Sequence, residues 1–148
     1  MSVVRTIAVT LTIPDNAALT ARATLERLGV ALGDLERADL YRVTFASAGE
    51  SAPALAALRD LESLYNPNKH RWAVRDTARP EPGELWVAER DAAPSALAAG
   101  RRVPGVVRFE SLTGWRLHDP AGLPAESALV RRAAETLLGN LAFQRIES

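Results

Sequence analysis

The densest group of side chains able to do chemistry lies between two aromatic residues, in Tyr65-Asn66-Pro67-Asn68-Lys69-His70-Arg71-Trp72. Asn66, Asn68, Lys69, His70 and Arg71 combine amide and cationic donors with flanking ring surface, which suits a phosphate group or an acidic protein partner. The same residues suit a solvated helix-to-strand turn, with the polar side chains serving the backbone and Tyr65 and Trp72 packed as core. Elsewhere the chain has no phosphate-cradling glycine loop, no G-x-S-x-G and no H-E-x-x-H. His70 and His118 stand far apart, so a cofactor-independent enzyme would rely on one of them as acid or base. Asp15 and Asp119 sit at segment starts, where carboxylates act as caps. Arg101-Arg102 reads as a solvated turn. No catalytic, cofactor-binding or metal-binding residue is assigned, and the candidate site is a partner-binding one.

Composition narrows the partners. Lys plus Arg and Asp plus Glu both total 18, for a formal net charge of +0, so no global field draws in nucleic acid or an anionic membrane. With Cys 0, disulfides, thiolate catalysis and cysteine metal sites are excluded. No leader pattern opens the chain and no apolar run is long enough to span a bilayer, so a cytoplasmic location is expected. A chain of 148 residues with 47% hydrophobic and 24% charged residues has a real core, in one domain or in two small units that share it.

The elements that position the candidate turn follow from periodicity. Leu55, Leu58, Leu61 and Leu64 recur at three-residue steps beside Ala54 and Ala57, predicting an amphipathic helix with Leu58 and Leu61 buried and Arg59, Asp60 and Glu62 in water. Asn66-Pro67 ends that helix and a strand runs over Arg71–Arg75. Upstream, Val3–Ile13 alternates as a strand with Ile7, Val9, Leu11 and Ile13 on its buried face. A helix capped by Asp15 or Asn16 follows, with Ala18, Ala21, Leu25 and Leu28 aligned and Gly29 as its stop. Leu35–Ala46 is a second strand, able to split at a bulge, and Ser47–Glu50 turns the chain toward a helix that Ser51 can cap.

The order then repeats. Asp76–Gly83 has two prolines and no periodicity, which marks residues 77–83 as a linker between an α+β half at 1–76 and a second at 84–148. That second half reads as a strand at Glu84–Glu89, a short helix at Pro94–Ala99, and a turn at Val103-Pro104-Gly105. A long strand follows, with Val107, Phe109, Ser111, Thr113, Trp115 and Leu117 on one face. A helix with Leu129, Ala133, Ala134 and Leu137 facing inward leads to a last strand at Leu141–Ile146. Arg59, Glu62 and Leu64 correspond to Arg132, Glu135 and Leu137; after one inserted glycine, Asn66 and Arg71 correspond to Asn140 and Arg145. The expected fold class is α+β: two ferredoxin-like βαββαβ halves, with antiparallel sheets, helices on one face and an approximate twofold axis.

The pieces Ile7–Ile13, Leu25-Glu26-Arg27-Leu28-Gly29-Val30, Tyr41–Phe45 and Glu62-Ser63-Leu64-Tyr65-Asn66-Pro67 resemble the small accessory subunit (PurS) of phosphoribosylformylglycinamidine synthase. Asp119-Pro120-Ala121-Gly122 is similar to that family's D-P-x-G turn, and Leu138-Gly139-Asn140-Leu141 to its helix-ending segment. Two departures stand out: Asp15-Asn16-Ala17-Ala18 lacks the turn's glycine, and Leu40 occupies the place of a lysine in the second strand. The family's subunit has about half this length, so the resemblance implies a tandem form. It also implies a non-catalytic subunit of a glutamine-dependent, ATP-using ligase in purine biosynthesis, with the synthetase and glutaminase subunits as partners, homo-oligomers admitted, no cofactor and no activity of its own. The other readings are a small-molecule-binding regulatory module and the cofactor-independent enzyme considered above, between which fold alone does not choose.

Overall fold

The computed structural model describes residues 1–89, 95–139 and 144–148. Alternation near the start becomes strand β1 (Val3–Leu11). Helix α1 (Asn16–Arg27) follows, with Asp15 as its N-cap, the carboxylate accepting from the Ala17 and Ala18 amides at 3.0 and 3.3 Å. Gly29 ends it at φ +87°, a left-handed conformation that side chains resist. Strand β2 (Asp34–Phe45), helix α2 (Ala48–Arg59) and strand β3 (His70–Arg75) complete the first half. The second half comprises β4 (Glu84–Glu89), the short α3 (Ser95–Arg101), β5 (Val106–His118), α4 (Ser127–Ala133) and β6 (Gln144–Glu147). Pro94 and residues 141–143 of the expected last strand lie outside the described residues.

Among the described residues, six strands form an antiparallel sheet in the order β3-β1-β2-β5-β4-β6. The α+β class holds, but each half runs β-α-β-α-β and contributes three strands where a βαββαβ unit has four. The expected break in the middle segment is absent, because β2 and β5 each run through without interruption. The order of first, second and third strands is nevertheless the same in both halves, β3-β1-β2 and β6-β4-β5.

Packing groups the chain differently from its halves. One unit collects Met1–Ile13, Asp39–Ala78 and Ala92–Leu112; the other collects Pro14–Ala38, Arg79–Asp91 and Thr113–Ser148. In the first, Ile7 and Val9 of β1, Tyr41, Val43 and Phe45 of β2, and Phe109 of β5 form a core with Ala54 and Leu58 of α2 and with Val103. In the second, Leu35, Leu85, Val87 and Leu117 line the strands, and Leu25 of α1 with Val130 and Ala133 of α4 packs on them. Each unit therefore takes strands and helices from both sides of residues 77–83.

Four expectations change for local reasons. Helix α2 starts at Ala48 because Ser47, not Ser51, is its cap: Ser47 Oγ accepts from the Glu50 amide at 3.3 Å and donates to the Glu50 carboxylate at 3.1 Å. It ends at Arg59, before Leu61, because three-residue steps are the period of a tighter helix; on an α-helix they drift about 60° per step. Turns carrying i to i+3 bonds, Leu61 to Leu58 and Leu64 to Leu61, bring the later leucines round. As a result Leu58 and Leu64 are buried and Leu61 is only half-buried.

In the second half, α4 runs into a π-helical turn at Ala134–Leu138. Its extra residue per turn shifts the inward position from Leu137, now 42% exposed, to Leu138. Finally, β1 is buried on both faces, since Thr6 and Ala8 are enclosed as well as Ile7 and Val9, whereas Ile13 lies past the strand and is exposed.

The helix-free face explains the second layer of burial on β1. Residues 77–78 lie against it: the Thr6 hydroxyl donates to the Thr77 carbonyl at 2.7 Å and Arg42 donates to the Ala78 carbonyl at 3.0 Å. The proposed linker is thus bonded to the sheet.

Candidate functional site

The Asn66–Arg71 segment begins on a fixed platform. Leu64 and Tyr65 are buried, and Tyr65 makes an edge contact with Trp72, centroids 5.3 Å apart, while the Arg59 guanidinium lies 5.5 Å from the Tyr65 ring. Pro67 cannot donate a backbone hydrogen bond, so the chain turns through its neighbours. The Asn66 carbonyl accepts from the Lys69 and His70 amides at 2.9 and 2.8 Å, and the Asn66 side-chain oxygen accepts from the Asn68 amide at 2.9 Å. The Asn66 amide donates in return to His70 Nδ1 at 3.0 Å. Thr12 completes the frame, its amide and hydroxyl both donating to the Lys69 carbonyl at 2.9 and 3.1 Å.

All five expected residues thus lie in one hydrogen-bonded segment, the turn and the start of β3, but their roles divide. Asn66 and His70 hold its shape, His70 with Nδ1 as an acceptor. Asn68, Lys69 and Arg71 are exposed. Arg71 starts the alternation of β3 and lies on the sheet face opposite His70 and Trp72. Tyr65 and Trp72 do serve the core, as the alternative reading of the segment required. The arrangement is able to present cationic donors at fixed positions, and it pairs no nucleophile with a base.

His118, the other histidine considered for acid-base chemistry, ends β5. Its carbonyl accepts from the Gly33 amide at 2.8 Å, and its Nδ1 is buried with no hydrogen-bond partner. Asp119 caps a turn, accepting from the Ala121 and Leu123 amides at 2.9 and 3.0 Å. Asp15 adds to its capping role an ion pair with Arg37 at 3.0 Å. Among the described residues no three His, Cys, Asp or Glu side chains form a group able to hold a metal, and no helix is long and apolar enough to cross a membrane.

A pattern not singled out in the sequence lies on the helix-free face. Arg42 pairs with Glu110 at 2.6 Å, both largely enclosed, and Arg108 reaches Glu110 at 2.8 Å. In the other unit Arg116 pairs with Glu36 at 3.9 Å and with Glu84 at 3.5 Å; Glu84 is 6% exposed and also accepts from the Glu81 amide. The signal was available: Leu35-Glu36 before Tyr41-Arg42-Val43 has the spacing of Phe109-Glu110 before Trp115-Arg116-Leu117. On the opposite, helix-bearing face, burial and the Asp39 charge push the Tyr41 hydroxyl up to about 12, and the Tyr41 ring stacks on Phe109 at 5.4 Å.

No protein-family model matches the chain, and comparison with curated proteins returns no match.

Proposed function

We propose that the protein is a non-catalytic bridging subunit, a tandem form of the PurS-type accessory subunit, that helps assemble the synthetase and glutaminase subunits of phosphoribosylformylglycinamidine synthase in the cytoplasm. The observation that carries this reading is the Asn66–Arg71 turn, whose backbone is held by its own amides and by Thr12 while Asn68, Lys69 and Arg71 stand in solvent. A surface fixed before encounter loses little conformational freedom on binding, which favours a protein partner.

The make-up of the two units supports the tandem part. The first unit holds four strand segments, β3, β1, residues 39–45 and residues 106–112, with helices α2 and α3. The second holds β6, β4, residues 113–118 and residues 34–38, with α4 and α1. Four strands and two helices are the complement of one ferredoxin-like fold. On this reading each unit is such a fold, built by exchange of a helix-strand segment between duplicated halves related by an approximate twofold axis.

The test is capture of the purified synthetase and glutaminase subunits by the immobilised protein at low salt, where charge steering is strongest. Both Lys69 and Arg71 changed to Ala should weaken capture and leave the circular dichroism spectrum intact. Failure of the wild-type protein to bind either subunit would overturn the reading.

A further inference from the structure

Strand β3 ends the sheet, and it follows directly from the turn just described. It pairs with β1 in the register Thr10 with Arg71, Ala8 with Ala73 and Thr6 with Arg75. The Thr12 amide bonds to the Lys69 carbonyl, so antiparallel alternation directs the amides and carbonyls of Arg71, Ala73 and Arg75 toward β1. Those of Trp72 and Val74 point away from the sheet. Among the described residues no strand lies beyond them.

The side chains on this edge are sorted as well. Trp72 and Val74 lie on the helix-bearing face, in register with Val9 and Ile7, and Val74 is 41% exposed. Arg71 and Arg75 lie on the opposite face, two positions either side of Ala73. From Asn66 to Val74 the chain carries Lys69 and Arg71, both exposed, and no Asp or Glu, although the whole chain has net charge +0. An exposed edge is a template for another strand, and an added strand places its side chains beside those of the same face. A second copy of β3 would bring cation to cation.

We propose that β3 receives an extended, acidic segment of a protein partner by strand addition, with alternate Asp or Glu residues beside Lys69 and Arg71 and the intervening apolar residues beside Trp72 and Val74. This rests on the bridging role and names the chemistry of the contact. Backbone bonds to Trp72 and Val74 supply the pairing, and the two faces supply selection.

The experiment uses a fluorescein-labelled peptide alternating valine and glutamate, titrated with the full chain and followed by anisotropy, with the valine-lysine peptide as control. The Val74→Pro variant removes an outward amide without touching the β1 ladder, a substitution that edge strands tolerate; its circular dichroism is checked first. Arg71→Glu is the second variant should that one fail to fold. Specific binding of the acidic peptide, with Kd raised about tenfold by Val74→Pro from loss of a main-chain bond and steric blocking, or clearly raised by Arg71→Glu, supports strand addition. Absence of binding, equal binding of the lysine peptide, or indifference to both variants overturns it. So does a sedimentation result in which the chain dimerises through this edge, or heparin binding that shares the peptide's site but ignores Val74→Pro, as a purely electrostatic nucleic-acid-like contact would. Capture of the two enzyme subunits, run in parallel, separates the readings. Subunits captured equally by wild type and Val74→Pro overturn strand addition alone, whereas specific peptide binding without subunit capture overturns the bridging role alone.

Discussion

Truncating two leucines of one predicted face tests whether the tightened end of α2 has been understood. Leu58 is 0% exposed within the core that includes Ile7, Val43 and Phe45, whereas Leu61 is half-buried and packs at its margin. Leu58→Ala removes three carbons, about 2.4 kcal/mol at about 0.8 kcal/mol per methylene. The hole lies between strands and a helix that cannot easily close on it, so the total should reach about 3–4 kcal/mol, inside the range of about 2–5 for such truncations. Leu61→Ala removes the same atoms from a site that water already reaches, and should cost about 1 kcal/mol. Urea unfolding followed by circular dichroism gives both values, provided the slopes stay equal. Equal losses at the two positions would refute the assignment of the turn after Arg59. A loss below about 0.5 kcal/mol for Leu58→Ala would refute the placement of the helix face itself.

Three further outcomes are expected. Arg42→Met should cost about 1–3 kcal/mol by taking a cation from the enclosed Glu110, with Arg108 compensating in part; adding Glu110→Leu should recover some of the loss in a double-mutant cycle, and Arg116→Met, which takes a guanidinium from the buried Glu84 while the Glu81 amide stays bonded to it, should cost about 1–3 kcal/mol. Tyr41 has its folded-state pKa raised from 10.0 to about 12, so its contribution is intact below pH 10 and is lost as pH rises through about 12. That amounts to about 2–3 kcal/mol, readable as delayed phenolate absorbance and a falling urea midpoint. Gly33→Ala should cost more than Gly29→Ala, because a Cβ at Gly33 would overlap the Asp119 backbone carbonyl whereas Gly29 faces open space and only its positive φ resists; the difference is measured by thermal unfolding.

The strands and the cap of α1 were legible because their signals are local, whereas Ser51 was read as the cap of α2 in place of Ser47. The period of two in Val3–Leu11 and the carboxylate of Asp15 need no distant partner to act. The leucine steps were ambiguous, since a three-residue period serves a tight turn better than an α-helix, and only the sheet beneath decides where the change occurs. The π-turn was invisible, because Leu137 and Leu138 are the same residue type and a one-residue phase shift leaves no compositional trace. Asn66–Arg71 could be seen as a polar turn, but its division into shape-holding Asn66 and His70 and presented Asn68, Lys69 and Arg71 depends on Thr12, far away in sequence. The burial of Thr6 and Arg42 likewise comes from residues 77–78, a stretch whose composition suggested only a tether.

The grouping of residues also bears on how the protein is made. A chain leaving the ribosome offers Met1–Ile13 and Asp39–Ala78 early, but the first unit also needs Ala92–Leu112. The second unit waits on α1 at one extreme and β6 at the other. Neither can close from residues 1–80, so loop closure over long sequence separations comes late: the first unit is complete only once Leu112 is available and the second only with β6. A nascent chain halted near residue 80 would hold unfinished strands and bare leucines, the kind of species that chaperones retain. Two separately expressed fragments, 1–80 and 81–148, should by the same logic remain unfolded alone and gain order when mixed.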